Sequence, residues 1–197
     1  MIKAIFLDRD GTINEEVNYL KRPEDIRLYP NTIKALRNFK DSGFLNIIIT
    51  NQSGIARGYF TEEELSIIHI ELRTMIAGEN GGKELIDDIF YSPFHKEGIV
   101  EKFKSDSDDR KPNTGMIRKA VLKHSIEIKE SYFIGDSFTD MLCAENAGLK
   151  KILVETGYGR EDILKCRSEN IQLDYIAGNL YDASLYLREL QTNKQKD

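Results

Sequence analysis

Residues 4–14 read AIFLDRDGTIN, and this short segment constrains much of what the chain can be. Its apolar run, Ala4 to Leu7, has the continuous pattern of a buried strand, and Asp8 and Asp10 follow that run directly. Charge at the edge of a hydrophobic core is costly unless another charge or a hydrogen bond offsets it. The two acids therefore either cap a turn or hold a cation and take part in chemistry.

Strand and helix patterns alternate along the rest of the chain. A capping box at Thr61 and Glu64 marks the start of one long helix. This alternation predicts an α/β fold, with a Rossmann-like, mostly parallel sheet and helices on both faces. The predicted strands are 3–7, 44–50, 85–92, 131–135, 150–156 and a short one near 175, and the predicted helices are 31–43, 61–78, 113–124, 138–148 and one ending at 190.

Composition narrows the range of functions. With 197 residues, of which 40% are hydrophobic, the chain suits one domain over residues 1–190, followed by a short tail at 191–197. A net charge of -5 argues against a general nucleic-acid partner, and the two cysteines cannot form a disulfide framework. The first apolar run is too short for a signal peptide or a membrane span. We expect a cytoplasmic monomer with no membrane partner.

Polar residues follow three of the predicted strands. Asp8 and Asp10 follow the first, Thr50 and Asn51 end the second, and Asp136 follows the fourth. Parallel sheets bind ligands beyond the carboxyl ends of their strands, so these residues should meet in one crevice. Carboxylates in this arrangement suit Mg²⁺, which leaves room for water and a substrate phosphate. Taken singly, each residue could equally cap a turn or end a strand.

Two further motifs supply charge near the same crevice. Arg110 and Lys111 stand just before a helix and could stabilise a phosphoryl group, although a solvated basic pair would look the same. Asp140 lies one helical turn beyond Asp136 and could orient a metal or its waters. Helix capping by Asp136 is the alternative interpretation.

In order along the chain, these motifs resemble those of the haloacid dehalogenase superfamily of phosphotransferases. The resemblance covers roughly residues 2 to 155 and implies Asp8 as the nucleophile and Asp10 as the general acid and base. It implies that Thr50 and Lys111 hold the transferring phosphoryl group. Mg²⁺ would be held by Asp8, the backbone carbonyl of Asp10 and Asp136. No block of sequence is long enough for a cap, so we expect little or no cap domain.

Three strings resemble a narrower group: DRDGTIN at 8–14, TNQSGIARGYF at 50–60 and RKPNTGM at 110–116. They are similar to the D-glycero-D-manno-heptose-1,7-bisphosphate 7-phosphatases and their relatives, the histidinol-phosphate phosphatases. The resemblance implies removal of the 7-phosphate of a heptose bisphosphate, in activated-heptose and lipopolysaccharide synthesis. The alternatives are histidinol-phosphate hydrolysis and a non-catalytic module that binds a phosphorylated ligand. The implied substrate contacts are Glu16, Tyr19, Asn51, Gln52, Ser53, Arg57 and Arg110.

The long connection at 92–112 departs from these relatives, many of which bind a structural zinc there. A structural zinc site normally takes four nitrogen or sulfur ligands, and His95 is one residue away from the expected ligand position. We therefore expect no structural zinc. The loop is expected either to be held by packing of Phe94 and Phe103 against the body of the domain or to be more mobile. The four positions that correspond to zinc ligands hold Ser92, Phe94, Ser107 and Asp109.

Overall fold

The computed structural model describes residues 1–194 and contains a six-stranded sheet in which every paired strand is parallel to its neighbour. The strand order is β3-β2-β1-β4-β5-β6. This is the predicted α/β arrangement with a parallel sheet. The strands are β1 Lys3–Leu7, β2 Phe44–Asn51, β3 Asp88–Ser92, β4 Tyr132–Gly135, β5 Lys150–Val154 and β6 Tyr175–Ala177.

Six α-helices cover the two faces of the sheet. Helices α1, α2 and α6 pack into one hydrophobic cluster, whereas α3, α4 and α5 pack into the other. The prediction of helices on both faces is therefore confirmed. The helices are α1 Thr32–Asp41, α2 Glu62–Glu79, α3 Gly115–His124, α4 Phe138–Ala147, α5 Gly159–Ser168 and α6 Leu180–Lys194.

Strand β1 explains how the two clusters are built. Ile5 and Leu7 belong to the first cluster, whereas Ala4 and Phe6 belong to the second. Successive side chains of a strand point to opposite faces, so a strand that is covered on both sides must be apolar at every position. All four residues are fully buried. This is the physical reason for the continuous apolar run at the start of the chain.

The strand order also locates the site. The chain begins in the middle of the sheet, proceeds outward through β2 and β3, and then returns to place β4 on the other side of β1. The order therefore reverses between β1 and β4, and ligands of open α/β sheets bind at such a point. Asp8 directly follows β1, and Asp136 directly follows β4.

Several features differ from the sequence-based expectation. Strand β3 begins at Asp88 rather than at residue 85, and β5 ends at Val154 rather than at residue 156. Helix α5 was not predicted, because its sequence GREDILKCRS is mostly polar and buries only Gly159, Ile163 and Cys166. Helix α6 continues to Lys194, four residues past the predicted helix end, so most of the tail predicted at 191–197 is helical. The remaining residues, 195–197, lie outside the described part of the chain. No helix within residues 1–194 is long and apolar enough to cross a membrane.

Candidate active site

Three carboxylates and one ammonium group form the centre of the site. One carboxylate oxygen from each of Asp8, Asp136 and Asp140 lies within 4.8 Å of the other two. The Nζ of Lys111 donates hydrogen bonds to Oδ1 of Asp8 at 2.6 Å and to Oδ1 of Asp140 at 2.6 Å. It also donates to the backbone carbonyl of Ile49 at 2.8 Å. A single positive charge thus faces three acids, and the cluster is net negative when all are ionised.

The ends of secondary-structure elements place the three acids. Asp8 and Asp136 follow neighbouring parallel strands, which bring them to the same edge of the sheet. Asp140 lies in the first turn of α4, where it forms a capping box with Ser137. The Ser137 backbone N–H and hydroxyl both donate to Oδ2 of Asp140, at 3.1 and 2.7 Å. The helix cap therefore fixes the carboxylate that Lys111 also binds.

The end of β2 fixes the backbone of Lys111. Oδ1 of Asn51 accepts from the Lys111 backbone N–H at 3.0 Å, and Nδ2 of Asn51 donates to the Lys111 carbonyl at 3.1 Å. Next to it, the buried Thr50 hydroxyl accepts from Nε2 of Gln52 at 2.8 Å. The lysine therefore keeps one position although it lies in a long connection.

Burial and like charge disturb the protonation of the acids. Burial is the main cause that raises the pKa of Asp8 to about 7, and the charges of Asp140 and Asp10 add to it. Burial also raises the pKa of Asp136 to about 9, with a further contribution from Asp8. For Lys111, burial would lower the pKa, but the charges of Asp140 and Asp8 raise it above its usual range. The lysine is charged, and the raised pKa values of Asp8 and Asp136 oppose ionisation of these two acids when no further cation is present.

Asp10 is held differently, by four donors. Nε and Nη2 of Arg9 donate to its two oxygens at 3.1 and 2.7 Å. Nδ2 of Asn14 donates to Oδ1 at 2.9 Å, and Nε2 of Gln52 donates to Oδ2 at 3.0 Å. Burial would raise the pKa of Asp10, but the Arg9 charge and these hydrogen bonds lower it below the usual value. The arrangement favours the ionised carboxylate.

A polar cavity of about 590 Å³ opens above these groups. It has room for a sugar phosphate and is lined mainly by polar side chains. Of the predicted catalytic, metal-binding and substrate-contacting residues, all but Arg57 line it. The lining residues are Asp8, Asp10, Glu16, Asn18, Tyr19, Leu20, Thr50, Asn51, Gln52, Ser53, Gly54, Arg110, Lys111, Pro112, Asp136, Ser137, Thr139, Asp140 and Tyr158.

Arg57, which was predicted to contact substrate, is not among the described residues that line this cavity. Nη2 of Arg57 lies 3.2 Å from Nε2 of His95, in the long 92–112 connection. In the same connection the rings of Phe94 and Phe103 meet edge to face at 5.9 Å. Both side chains also pack with a hydrophobic cluster that includes Phe60, as expected for packing against the body of the domain. Nη1 of Arg110 donates to the Phe94 carbonyl at 3.2 Å. Packing thus shapes the loop that carries Arg110, and the expected lack of a structural zinc stays a prediction.

Sequence reasoning missed the segment after β5. The backbone N–H of Tyr158 donates to Oδ2 of Asp136 at 2.9 Å. Gly157 has a φ of +53°, and a Cβ at this position would collide with the Asp136 carboxylate and lie 2.8 Å from Cα of Gly11. The string TGYG at 156–159 carried a signal, since two glycines directly after a buried strand are typical of a close backbone approach.

The residues present fit a bound Mg²⁺. Asp8 and Asp136 offer hard oxygen donors at one point. Burial and, after it, the neighbouring carboxylates raise the pKa of both acids, and the positive charge of a divalent cation would offset both effects. Asp140 already binds Lys111 through Oδ1 and Ser137 through Oδ2. That Asp140 orients the metal site rather than binding the ion directly stays a prediction.

Comparison with known proteins points to the same chemistry. The family described as HAD-hydrolase-like matches residues 109–183. The D,D-heptose 1,7-bisphosphate phosphatase of B. bronchiseptica, solved with magnesium and phosphate, is 27% identical. It superimposes with a TM-score of 0.82 over 95% of this chain and 99% of its own. The fold and the carboxylate–lysine site define a phosphatase of the haloacid dehalogenase type.

Sequence relatives narrow this class. A D-glycero-D-manno-heptose-1,7-bisphosphate 7-phosphatase of Thermosynechococcus vestitus is 36% identical over 90% of this chain and 91% of its own. The relative from Photorhabdus laumondii, whose name specifies the alpha substrate, is 42% identical over 80% of this chain and 85% of its own. The relative from Escherichia coli K12, whose name specifies the beta substrate, is 39% identical over 79% of this chain and 81% of its own. The chain belongs to the D-glycero-D-manno-heptose-1,7-bisphosphate 7-phosphatase family.

Proposed function

We propose that this protein hydrolyses the 7-phosphate of D-glycero-D-manno-heptose 1,7-bisphosphate in a Mg²⁺-dependent reaction. One observation carries the proposal: Asp8, bound to Lys111 at 2.6 Å, faces a polar cavity at the junction of β1 and β4. Around it lie a second acid, Asp10, and a buried Asp136 and Asp140. The family membership supplies the substrate, and the geometry supports the chemistry.

In the first half-reaction a carboxylate oxygen of Asp8 attacks the 7-phosphorus. The bond from phosphorus to the sugar O7 breaks, and O7 takes a proton from Asp10. Lys111 is charged and stays bound to Asp8, so it both orients the nucleophile and stabilises the negative oxygens of the transferring group. Thr50 is positioned at the end of β2 to donate its hydroxyl to the same group.

In the second half-reaction Asp10 accepts a proton from water, and that water attacks the phosphorus of the aspartyl-phosphate. The bond from phosphorus to the Asp8 oxygen breaks, and inorganic phosphate leaves. The four donors around Asp10 favour its ionised form, which is the form that accepts this proton. The first half-reaction needs the same group protonated, so Asp10 must gain a proton in the substrate complex.

Mg²⁺ would be held by Asp8, Asp136 and the backbone carbonyl of Asp10, and when bound it supplies positive charge that lets an anionic nucleophile meet an anionic phosphate. Glu16 and Tyr19 also line the cavity and suit sugar hydroxyls. Arg110 would bind the phosphate that is not transferred. The expected place of the reaction is activated-heptose synthesis, with a small sugar phosphate as the partner.

Phosphate release tests the proposal directly. The protein should hydrolyse one or both anomers of the heptose 1,7-bisphosphate with Mg²⁺, lose activity in EDTA, and act poorly on histidinol phosphate. Preference for histidinol phosphate would overturn the substrate assignment and keep the catalytic one. Tight binding of heptose bisphosphate without turnover would instead show a binding module. Full activity in chelator would overturn the metal assignment.

A further inference from the structure

The proposed reaction gives no role to the largest fully buried side chain of the protein, that of Arg9. Its exposed fraction is 0%, although it lies between the two acids of the DRDG motif. Its guanidinium binds both oxygens of Asp10, and its Nη1 lies 3.2 Å from Nε2 of His69. Because burying a guanidinium is costly without partners, these contacts must hold it firmly.

His69 comes from an element that is otherwise remote from the chemistry. It lies in the middle of α2 and is 8% exposed. Burial is the main cause that lowers its pKa to about 3, and the nearby charge of Arg9 acts in the same direction. A neutral ring can accept a hydrogen bond at Nε2 from the Arg9 Nη1. The His69 ring also contacts the ring of Tyr91, edge to face at 5.9 Å.

We propose that Arg9 and His69 form a positioning pair that fixes the Asp10 carboxylate for proton transfer to the leaving oxygen. His69 orients the guanidinium through its contact with Nη1. The two remaining nitrogens, Nε and Nη2, donate to the two oxygens of Asp10 and so orient that carboxylate by a bidentate contact. Neither residue lines the cavity. Helix α2 thereby contributes to catalysis through Arg9.

The inference rests on the acid role proposed for Asp10. Substrates whose leaving groups differ in their need for a proton test that role. A sugar alkoxide is a poor leaving group and needs a proton, whereas p-nitrophenolate leaves readily without one. The value of kcat/KM covers the steps up to departure of the leaving group, so hydrolysis of the aspartyl-phosphate does not affect it. Misplacing Asp10 should therefore slow the alkyl substrate selectively, whereas general damage to the fold slows both.

The test compares heptose 1,7-bisphosphate, a simple primary alkyl phosphate and p-nitrophenyl phosphate with the full-length protein and Mg²⁺. His69→Leu should lower kcat/KM for the alkyl substrates about tenfold or more and for p-nitrophenyl phosphate less than about threefold, as expected for partial loss of a general acid. His69→Gln, which keeps an acceptor for Nη1, should restore most of the alkyl activity. Arg9→Lys, which keeps the charge but not the bidentate contact, should resemble His69→Leu.

Two controls separate the explanations. Asp10→Asn should show the same selectivity more strongly, and if it does not, the acid role of Asp10 is wrong. If Asp10→Asn is selective but the folded His69→Leu and Arg9→Lys proteins slow all substrates equally, the positioning role is wrong. His124→Gln changes a histidine that contacts Asp88 away from the cavity, and it should leave all three values unchanged. If the wild type hydrolyses the alkyl phosphate but not the heptose bisphosphate, the substrate assignment is wrong; a selective loss on the alkyl phosphate in His69→Leu and Arg9→Lys would still support the pair, and an equal loss on p-nitrophenyl phosphate would overturn it.

Discussion

At the scale of one residue, Asp8 lowers the stability of the folded protein at the position where the reaction needs a nucleophile. Burial and two neighbouring acids make its charge unfavourable, and only Lys111 opposes them. We predict that Asp8→Asn abolishes turnover, because an amide cannot act as the nucleophile, yet raises the melting temperature in chelator at neutral pH, because it removes one crowded charge. Calorimetry with EDTA measures this. A lower melting temperature would show that the Lys111 contact outweighs the repulsion.

Gly157 is the second residue whose identity follows from the site. Gly157→Ala should cost about 1 kcal/mol of folding free energy for a side chain at positive φ, and it should also displace Asp136, which the new Cβ would meet. We expect the Mg²⁺ concentration for half-maximal activity to rise at least about tenfold. Titration of activity against Mg²⁺ measures this.

Gly82 provides a matched control for that experiment. It also has a positive φ, +82°, but a Cβ there would meet nothing within 4 Å. Gly82→Ala should therefore lose similar stability and keep the Mg²⁺ requirement of the wild type. The same requirement in both variants would mean that Asp136 adjusts to the Gly157 Cβ.

At the scale of elements, the capping box occurs at the start of two helices, and in one of them it also orients a side chain of the site. Thr61 forms a capping box with Glu64 at the start of α2, and Ser137 forms one with Asp140 at the start of α4. We predict that Thr61→Ala and Ser137→Ala each lower the free energy of unfolding by about 1 kcal/mol. Only Ser137→Ala should also lower kcat, because Ser137 orients the carboxylate that Lys111 binds. Denaturant unfolding and steady-state kinetics check both halves, and an unchanged kcat in Ser137→Ala would contradict the second.

The two capping boxes also show where sequence patterns succeed. The Thr61 box could be predicted because Thr, Glu and a following apolar period are all local signals. Helix α5 could not, since its burial depends on Ile163 and Cys166 fitting a surface made by other elements. The sequence around His69 carries no signal of its role. Its contact with Arg9 spans 60 positions in the chain, and no local pattern reports such a contact.

At the scale of the whole molecule, the parallel topology of the sheet determines which site residues could be located from the sequence. Asp8, Asp10 and Asp136 come after apolar strands, so the rule that ligands bind at the carboxyl ends of parallel strands was enough to predict that these acids meet in one site. The same rule cannot locate Tyr158, whose backbone N–H rather than its side chain type makes the contact with Asp136. Nor can it show that Arg57 turns away towards His95. The side chains that meet in the candidate site could be predicted from residue type and order, whereas backbone donors and loop orientation required the folded chain.

The charge balance of the site should appear in the stability of the whole protein. In the folded protein without metal, burial raises the pKa of Asp8 to about 7 and that of Asp136 to about 9, from an ordinary value of 3.8. Groups whose pKa is raised on folding contribute stability that is complete below the ordinary pKa and is lost as pH rises through the folded values. Stability in chelator should therefore fall between about pH 4 and pH 9 through these two groups.

Mg²⁺ should reverse that loss, because it competes with protons for the same oxygens and binds only the folded site. We predict that the Mg²⁺-induced rise in melting temperature is small near pH 5 and grows towards pH 9. Thermal melts with Mg²⁺ and with EDTA across this range measure the difference. In Asp136→Asn the rise should be much smaller at every pH. A rise that is independent of pH in the wild type would mean that the ion binds elsewhere, and that the crowding of Asp8 and Asp136 is relieved by Lys111 alone.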